Sequence, residues 1–266
     1  MNKPIPKIVN VVILGAGNVA YHLTRSLVES GFRVVQIISK SEEKARELSL
    51  IASCEFSLSI NDINKTADIY ILAVPDSAVS ELSVSLPQLG GVVVHTSGST
   101  PLKVLSRVSN HYGVFYPFQT FSRNRELNLN NVPFCIEASS DDVSNVLFAF
   151  AKSIGAMPLS MDSETRQWLH LCGVFSCNFV NHMLSIAQII SLKQGIPFDL
   201  LKPLISETIS KALEGNPLDL QTGPAIRGDS DTIKKHIALL SEVDEDFRDL
   251  YMALSNSIWN LKQDIE

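Results

Sequence analysis

The feature that most restricts the fold is local. An apolar run at 8–14 is broken at once by Gly15-Ala16-Gly17-Asn18-Val19-Ala20 and followed by an amphipathic stretch ending at Gly31. Strand, glycine turn and helix in that order make the unit that binds a dinucleotide pyrophosphate. Gly15 permits the tight turn, Gly17 keeps a Cβ out of the way of phosphate, and the small Ala20 lets the helix lie close on the strand. The anion then meets unpaired N–H groups at the helix start. A tight turn that binds nothing is the plainer reading of these residues, and the flanking elements are what favour the site.

A second strand at 33–38 runs into Ser39-Lys40-Ser41. An NAD site places Asp or Glu about twenty residues past the glycine turn, to accept the ribose hydroxyls. Here a lysine stands between two hydroxyls, a donor set that suits the 2′-phosphate of NADP and that a carboxylate would spoil. The alternative is a solvated loop in which Ser41 caps the helix starting near Glu42, and one serine can do both.

The chain has 266 residues, of which 45% are hydrophobic, enough for an ordinary core in one large or two modest domains. A net charge of -6 without any basic run argues against nucleic acid as the main partner. The start, Met1-Asn2-Lys3-Pro4, leads into an apolar stretch too short for a signal-peptide core. Residues 168–192 carry no Asp, Glu, Lys or Arg, but they include His170, Ser176, Asn178, Asn181, His182, Ser185 and Gln188. A helix buried between protein surfaces fits that mixture better than a membrane span. Cys54, Cys135, Cys172 and Cys177 show no zinc-ligand spacing and read as reduced, buried thiols of a soluble cytoplasmic protein without a metal site.

Apolar runs at 67–74 and 92–96 read as buried parallel strands, stopped by Pro75-Asp76-Ser77 and Ser97-Gly98-Ser99. Further strands are expected at 116–121, 133–138 and 157–161, with a helix from Asp141 or Asp142 to Ile154 ended by Gly155. Beyond Asp162 only helices are expected, at 164–194, 199–214, 231–240 and 244–262. The fold expected is α/β: a doubly wound Rossmann domain at 1–162, then an all-helical domain at 163–266. Ligands of such sheets sit at the carboxyl ends of strands.

Four segments together resemble one bacterial family, the Rossmann-like proteins with a DUF2520 domain. They are GAGNVA at 15–20, LAVPDSAV at 72–79, HTSGS at 95–99 with YPFQTFS at 116–122, and QTGPAIRGD at 221–229 followed by Thr232 and His236. The resemblance implies a Rossmann domain joined to a helical dimerisation domain, akin to pyrroline-5-carboxylate reductases and the 6-phosphogluconate dehydrogenase-like group. It implies an NADP-linked oxidoreductase working as a homodimer, with ketopantoate reduction as one associated activity. Carried over by residue, it puts Gly15, Ala16, Gly17, Asn18 and Val19 at the pyrophosphate, and Ser39, Lys40 and Ser41 at the adenosine ribose. Ala73, Val74, Pro75 and Asp76 fall beside the nicotinamide ribose, and Asn178 on a long helix facing the nicotinamide. Several relatives carry a proton-donating lysine one turn earlier, where this chain has Val174.

Hydride transfer to a carbonyl or imine requires a proton donor. His95, at a strand end, is the first candidate, against a histidine that only bonds its loop. His182 follows Asn178 by one helical turn and either forms a polar patch with it or a bonded pair in a dimer core; His170 lies two turns before Asn178. Arg227 either clamps a carboxylate or phosphate, pairs with Asp229, or reaches a partner subunit. Ser97, Ser99, Gln119 and Thr120 either orient substrate or cap turns, and Asp231 reads as a helix cap. Two functions follow as expectations: an NADPH-dependent reductase of a small carbonyl or imine acid, or an NADP-binding sensor or scaffold without turnover.

Overall fold

The computed structural model describes residues 8–265; the reading of Met1 to Pro4 lies outside them. Eight strands form one sheet in the order β3-β2-β1-β4-β5-β6-β7-β8. They are β1 (Asn10–Leu14), β2 (Arg33–Ile38), β3 (Glu55–Ser57), β4 (Ile69–Leu72), β5 (Val92–His95), β6 (Tyr112–Pro117), β7 (Pro133–Ala138) and β8 (Met157–Ser160). Strands β1 to β6 are mutually parallel, β7 runs antiparallel to β6, and β8 is parallel to β7. Helices α1 (Asn18–Glu29), α2 (Glu42–Ala52), α3 (Asp76–Ser85) and α4 (Asp141–Ser153) cover its faces.

The continuous apolar runs of the central strands follow from that double cover. In β1, Val11 and Ile13 point into one core while Val12 and Leu14 point into the other. All four are essentially sealed from solvent. A strand with one wet face would alternate instead. This is the doubly wound Rossmann arrangement expected from the sequence.

A long helical run follows the sheet: α5 (Ser163–Gly173), a π-helical stretch Val174–Phe179, and α6 (Val180–Lys193). Contacts group the chain into two compact units that meet after Cys177, and α5 is tied into the first of them by the fully buried Arg166. The second unit, described by itself, is helical among the described residues: α6, then α7 (Lys202–Glu214), the short α8 (Pro224–Arg227), α9 (Ser230–Ser241) and α10 (Glu245–Ile265). His236 Nδ1 and Tyr251 Oη, 2.8 Å apart, tie α9 to α10, and Lys193 Nζ donates to the Val243 carbonyl at 2.7 Å.

Several local expectations are corrected. Strand β3, three residues without a strong apolar pattern, was not anticipated. Strand β6 spans Tyr112–Pro117 rather than 116–121, since its ladder with β7 ends at the Pro117 pair with Phe134. The helix expected at 164–194 is interrupted by the π turn. Asp229, not Asp231, caps α9: its carboxylate accepts from Thr232 N at 3.1 Å and from the Thr232 hydroxyl at 2.8 Å. Of the cysteines only Cys135 is buried, and Cys172 is exposed. The apolar side chains of the long helical run are not buried within this chain, with Trp168 64% and Phe175 62% exposed. By length and composition alone the run Ser163–Lys193 is long and apolar enough to cross a membrane.

Candidate active site

The turn after β1 is shaped by its glycines. Gly15 sits at φ 111°, and a Cβ there would lie 2.1 Å from the Ala73 carbonyl oxygen, so the β1 turn presses directly on the end of β4 and admits only glycine. Gly15 N donates to the Ile38 carbonyl at 2.7 Å, which fixes the turn between its neighbours. Gly17 has nothing within 4 Å of its absent Cβ, so the constraint there comes from no protein atom. Helix α1 starts with Gly17 as its cap, no side chain bonds its first N–H groups, and no acid stands in its first turn. Its positive end is uncompensated, which is what an incoming phosphate needs.

Next to this turn, Ser39 and Lys40 lie at the end of β2, and Ser41 stands at the N-cap position of α2 without a side-chain bond to its first amides. Ser39 Oγ accepts from Ser41 N at 3.2 Å, and Lys40 is exposed. Glu42 and Glu43 follow in the first turn of α2, but Arg46 holds Glu42 at 2.9 Å. Sequence reasoning missed Arg123, whose guanidinium reaches both the Ala16 carbonyl and the Glu47 carboxylate and stacks 5.2 Å over the Tyr21 ring. The connection from β6 to β7 thus lies over the glycine turn. Asn18 Nδ2 donates to the Phe121 carbonyl at 2.9 Å, and His22 Nε2 bonds the Ser122 carbonyl at 2.9 Å. These positions fit a nicotinamide adenine dinucleotide at its pyrophosphate and adenosine end: uncapped amides, an open glycine, and a lysine between two serines.

Along the same edge, the Asp76 carboxylate at the start of α3 takes the Ser99 hydroxyl. Ser97, by contrast, is 3% exposed and fully engaged: its oxygen accepts from Ser99 N and Thr100 N, and its proton goes to Thr100 Oγ1 at 2.8 Å. The expected substrate role for Ser97 gives way to that of a turn-former. Gln119 accepts from Thr120 N at 2.8 Å, and both residues are exposed on the connection after β6.

His95 is the main correction. It is 0% exposed, its Nδ1 accepts from Ser97 N at 3.2 Å, and its Nε2 has no hydrogen-bond partner. Burial, with the Arg166 charge adding to it, pushes the imidazole down to about 4, so the ring is neutral near pH 7. A side chain sealed in the core presents no proton to a ligand, and its place is that of a loop-former.

Two pairings between distant residues carry the rest of the site. Arg166, on α5 and 0% exposed, donates to Glu137 Oε2 at 2.7 Å, to the Thr100 carbonyl at 2.6 Å and to Ser163 Oγ at 3.2 Å, leaving only Nε without a partner. Four residues on, His170 Nδ1 lies 3.0 Å from Tyr116 Oη at the end of β6. Both rings rest on Gly98, where a Cβ would come within 2.6 Å of His170 Nδ1 and 2.9 Å of Tyr116 Cζ. Gln167 Nε2 also donates to the Ser99 carbonyl at 3.0 Å, so α5 is clamped along the loop after β5.

His170 is bonded to Tyr116, and the stretch Val174–Phe179 that follows α5 is π-helical. Asn178, at the π turn, and His182, on α6, are exposed, as is Arg227 at the end of α8. Arg227 makes no ion pair with Asp229, whose oxygens are on Thr232. A cavity of about 500 Å³ lined by Asn10, Arg33, Glu55, Asn64 and Thr66 lies at the opposite, amino-terminal edge of the sheet.

Comparison with known proteins agrees with this geometry. Residues 10–97 match the family described as NADP oxidoreductase, coenzyme F420-dependent, and 132–258 match the domain of unknown function DUF2520. Among solved structures, a protein of Bacteroides fragilis described as an NADP oxidoreductase is 41% identical, with 96% of this chain and 99% of that one covered and a TM-score of 0.89. An imine reductase of Myxococcus stipitatus in complex with NADP+ is 14% identical, over 96% of this chain and 93% of that one, with a TM-score of 0.63. A 1-pyrroline-5-carboxylate reductase of Streptococcus pyogenes is 13% identical, over 97% of this chain and 100% of that one, with a TM-score of 0.60. The last two speak for the fold alone. No curated protein matches the chain.

Proposed function

We propose a function from this premise: the chain belongs to the family of Rossmann-like NADP oxidoreductases that carry a DUF2520 domain. It is an NADPH-dependent reductase of a small carbonyl or imine acid, ketopantoate being the type of substrate. The observation that carries this reading is the uncapped start of α1 behind Gly15, where unpaired amides and a positive helix end meet in a turn that tolerates no side chain. Lys40, between Ser39 and Ser41, favours the 2′-phosphate of NADP over a bare ribose. Bound there, the reduced nucleotide supplies hydride. The protein's own part is to hold it along the carboxyl ends of β1, β4 and β5 and to provide a proton and an anchor for the acid, for which Arg227 is the candidate.

The exposed apolar side chains of α5 and α6, Trp168, Leu171, Ile189 and Leu192 among them, are covered in this reading by a second copy of the chain. Asn178 and His182 lie on that same helical run. Four free cysteines fit a cytoplasmic setting.

Calorimetry with NADPH and NADH, followed by NADPH oxidation over a panel that includes ketopantoate and pyrroline-5-carboxylate, tests the proposal. Tight NADPH binding with turnover of one panel member is the expected result; absence of binding to either nucleotide ends it. A second reading, an NADP-bound sensor, is favoured by Val174 at the position where relatives carry lysine. NADPH binding without turnover on a wide panel would favour it.

A further inference from the structure

We infer that Tyr116 is the acid that delivers the proton to the developing alkoxide of a carbonyl substrate, and that His170 positions its hydroxyl and replaces the proton from solvent. This inference rests on the reductase reading above. The sheet edge leads to the pair step by step. The glycine turn presses on Ala73 at the end of β4; three residues later Asp76 takes the Ser99 hydroxyl; and Gly98, next to Ser99, is the floor on which the Tyr116 and His170 rings lie. A dinucleotide laid from the turn across β4 towards β5 therefore brings its reacting end to Gly98. Both side chains are half-buried, so they are reachable from that edge as His95 is not.

Other hydroxyls and rings around Gly98 are already committed. His95 is sealed, the Ser97 proton is given to Thr100, and the Ser99 proton is given to the Asp76 carboxylate. The hydroxyl of Tyr116 is hydrogen-bonded to His170 Nδ1. If His170 carries its proton on Nδ1, that nitrogen donates to the phenol oxygen and turns the phenol proton outward. The groups facing the phenol are Asp76, Cys135 across the β6–β7 ladder, Arg166 and His170. Burial first, then Cys135 and Asp76, push it up to about 12, with Arg166 opposing. Such an acid stays protonated in the working range and can yield its proton to a base as strong as a developing alkoxide.

The step balances. As hydride arrives at the carbonyl carbon, the C=O π pair moves to oxygen, and oxygen takes the Tyr116 hydroxyl proton. The phenolate takes the Nδ1 proton of His170, and the imidazole gains one from water at Nε2; a further exchange with water restores the starting tautomer. Reduced nucleotide, one proton and ketone give oxidised nucleotide and alcohol.

Two measurements decide the matter. The 15N shifts of the His170 imidazole in the wild-type protein, recorded in mildly alkaline buffer and assigned with His170→Asn, are expected to show the proton on Nδ1. A proton on Nε2 overturns the proposal, with or without a known substrate. In turnover with ketopantoate, Tyr116→Phe should lower kcat by about 10²- to 10⁴-fold, with KM and NADPH affinity unchanged and a solvent deuterium isotope effect abolished. His170→Ala should lose less, and His170→Asn, whose side-chain amide can still donate to the phenol, should recover part of the loss. Activity of Tyr116→Phe within twofold of wild type, or turnover of pyrroline-5-carboxylate but not ketopantoate, overturns it. Loss of NADPH binding by the wild type would instead strike the reductase reading, and the tautomer would still be read.

Discussion

Replacing Arg166 with Met tests what holds the site together. The guanidinium is 0% exposed and serves Glu137, Thr100 and Ser163 at once, and methionine fills much of its volume without any donor. Glu137 is then left 20% exposed with only the Ser163 hydroxyl, 2.6 Å away, and the Thr100 carbonyl loses a partner inside the protein. Breaking a buried ion pair from one side costs about 3–5 kcal/mol; because Glu137 keeps one bond and some solvent, the loss is placed near the lower end, about 3 kcal/mol. Against a total of about 5–15 kcal/mol that is a large fraction. The double variant Arg166→Met with Glu137→Met removes both charges and should recover most of it, since apolar replacement of a whole buried pair is close to neutral. Urea unfolding followed by far-UV circular dichroism and by tryptophan fluorescence, with Trp168 reporting from α5 itself, gives each corner of the cycle. A single-variant loss below about 1 kcal/mol, or a double variant as unstable as the two singles added together, would show that Arg166 is not the pin described here.

Gly15→Ala should abolish nucleotide binding in calorimetry and lower the melting temperature, because its Cβ would meet the Ala73 oxygen at 2.1 Å in a left-handed backbone; unchanged affinity would contradict the turn geometry. His95 takes a proton near its ordinary 6.5 when unfolded but only near 4 when folded, so its neutral burial contributes stability in full above 6.5 and loses it as pH falls to 4. That contribution is about 3 kcal/mol at most, and His95→Gln should flatten the fall of stability between those pH values, whereas an identical acid limb would count against it. Lys40→Ala should weaken NADPH binding by about 10- to 100-fold, the worth of one hydrogen bond to a charged group, while NADH binding changes little; equal losses for both nucleotides would remove Lys40 from the 2′-phosphate.

What the sequence discloses here is what is local. Strand, turn and helix at 8–31 are adjacent in the chain, and each is dictated by its own periodicity and glycines. The start of α2 after Ser41 and the buried strands β4 and β5 follow in the same way. The direction of a side chain at a strand end is less accessible: His95 alternates onto the same face as Val93, which is core, so its position at the carboxyl edge was readable and its burial was not. Tyr116 and His170 are 54 residues apart, and Arg166 and Glu137 are 29 apart. No spacing rule joins such pairs; they exist only once α5 is laid against the sheet. Arg123 was hidden for a similar reason, in a loop whose only signal is that it follows YPFQTFS.

Strand β6 carries Tyr116 near its end, and the chain leaving it passes over the glycine turn as far as Arg123. One short stretch of polypeptide is therefore strung between the Tyr116–His170 pair and the glycine turn. Lengthening it would slacken both at once, so natural variants of this chain should tolerate insertions after Arg123 far better than between residues 117 and 121. Deep mutational libraries that insert single glycines along 117–131 would draw that boundary directly.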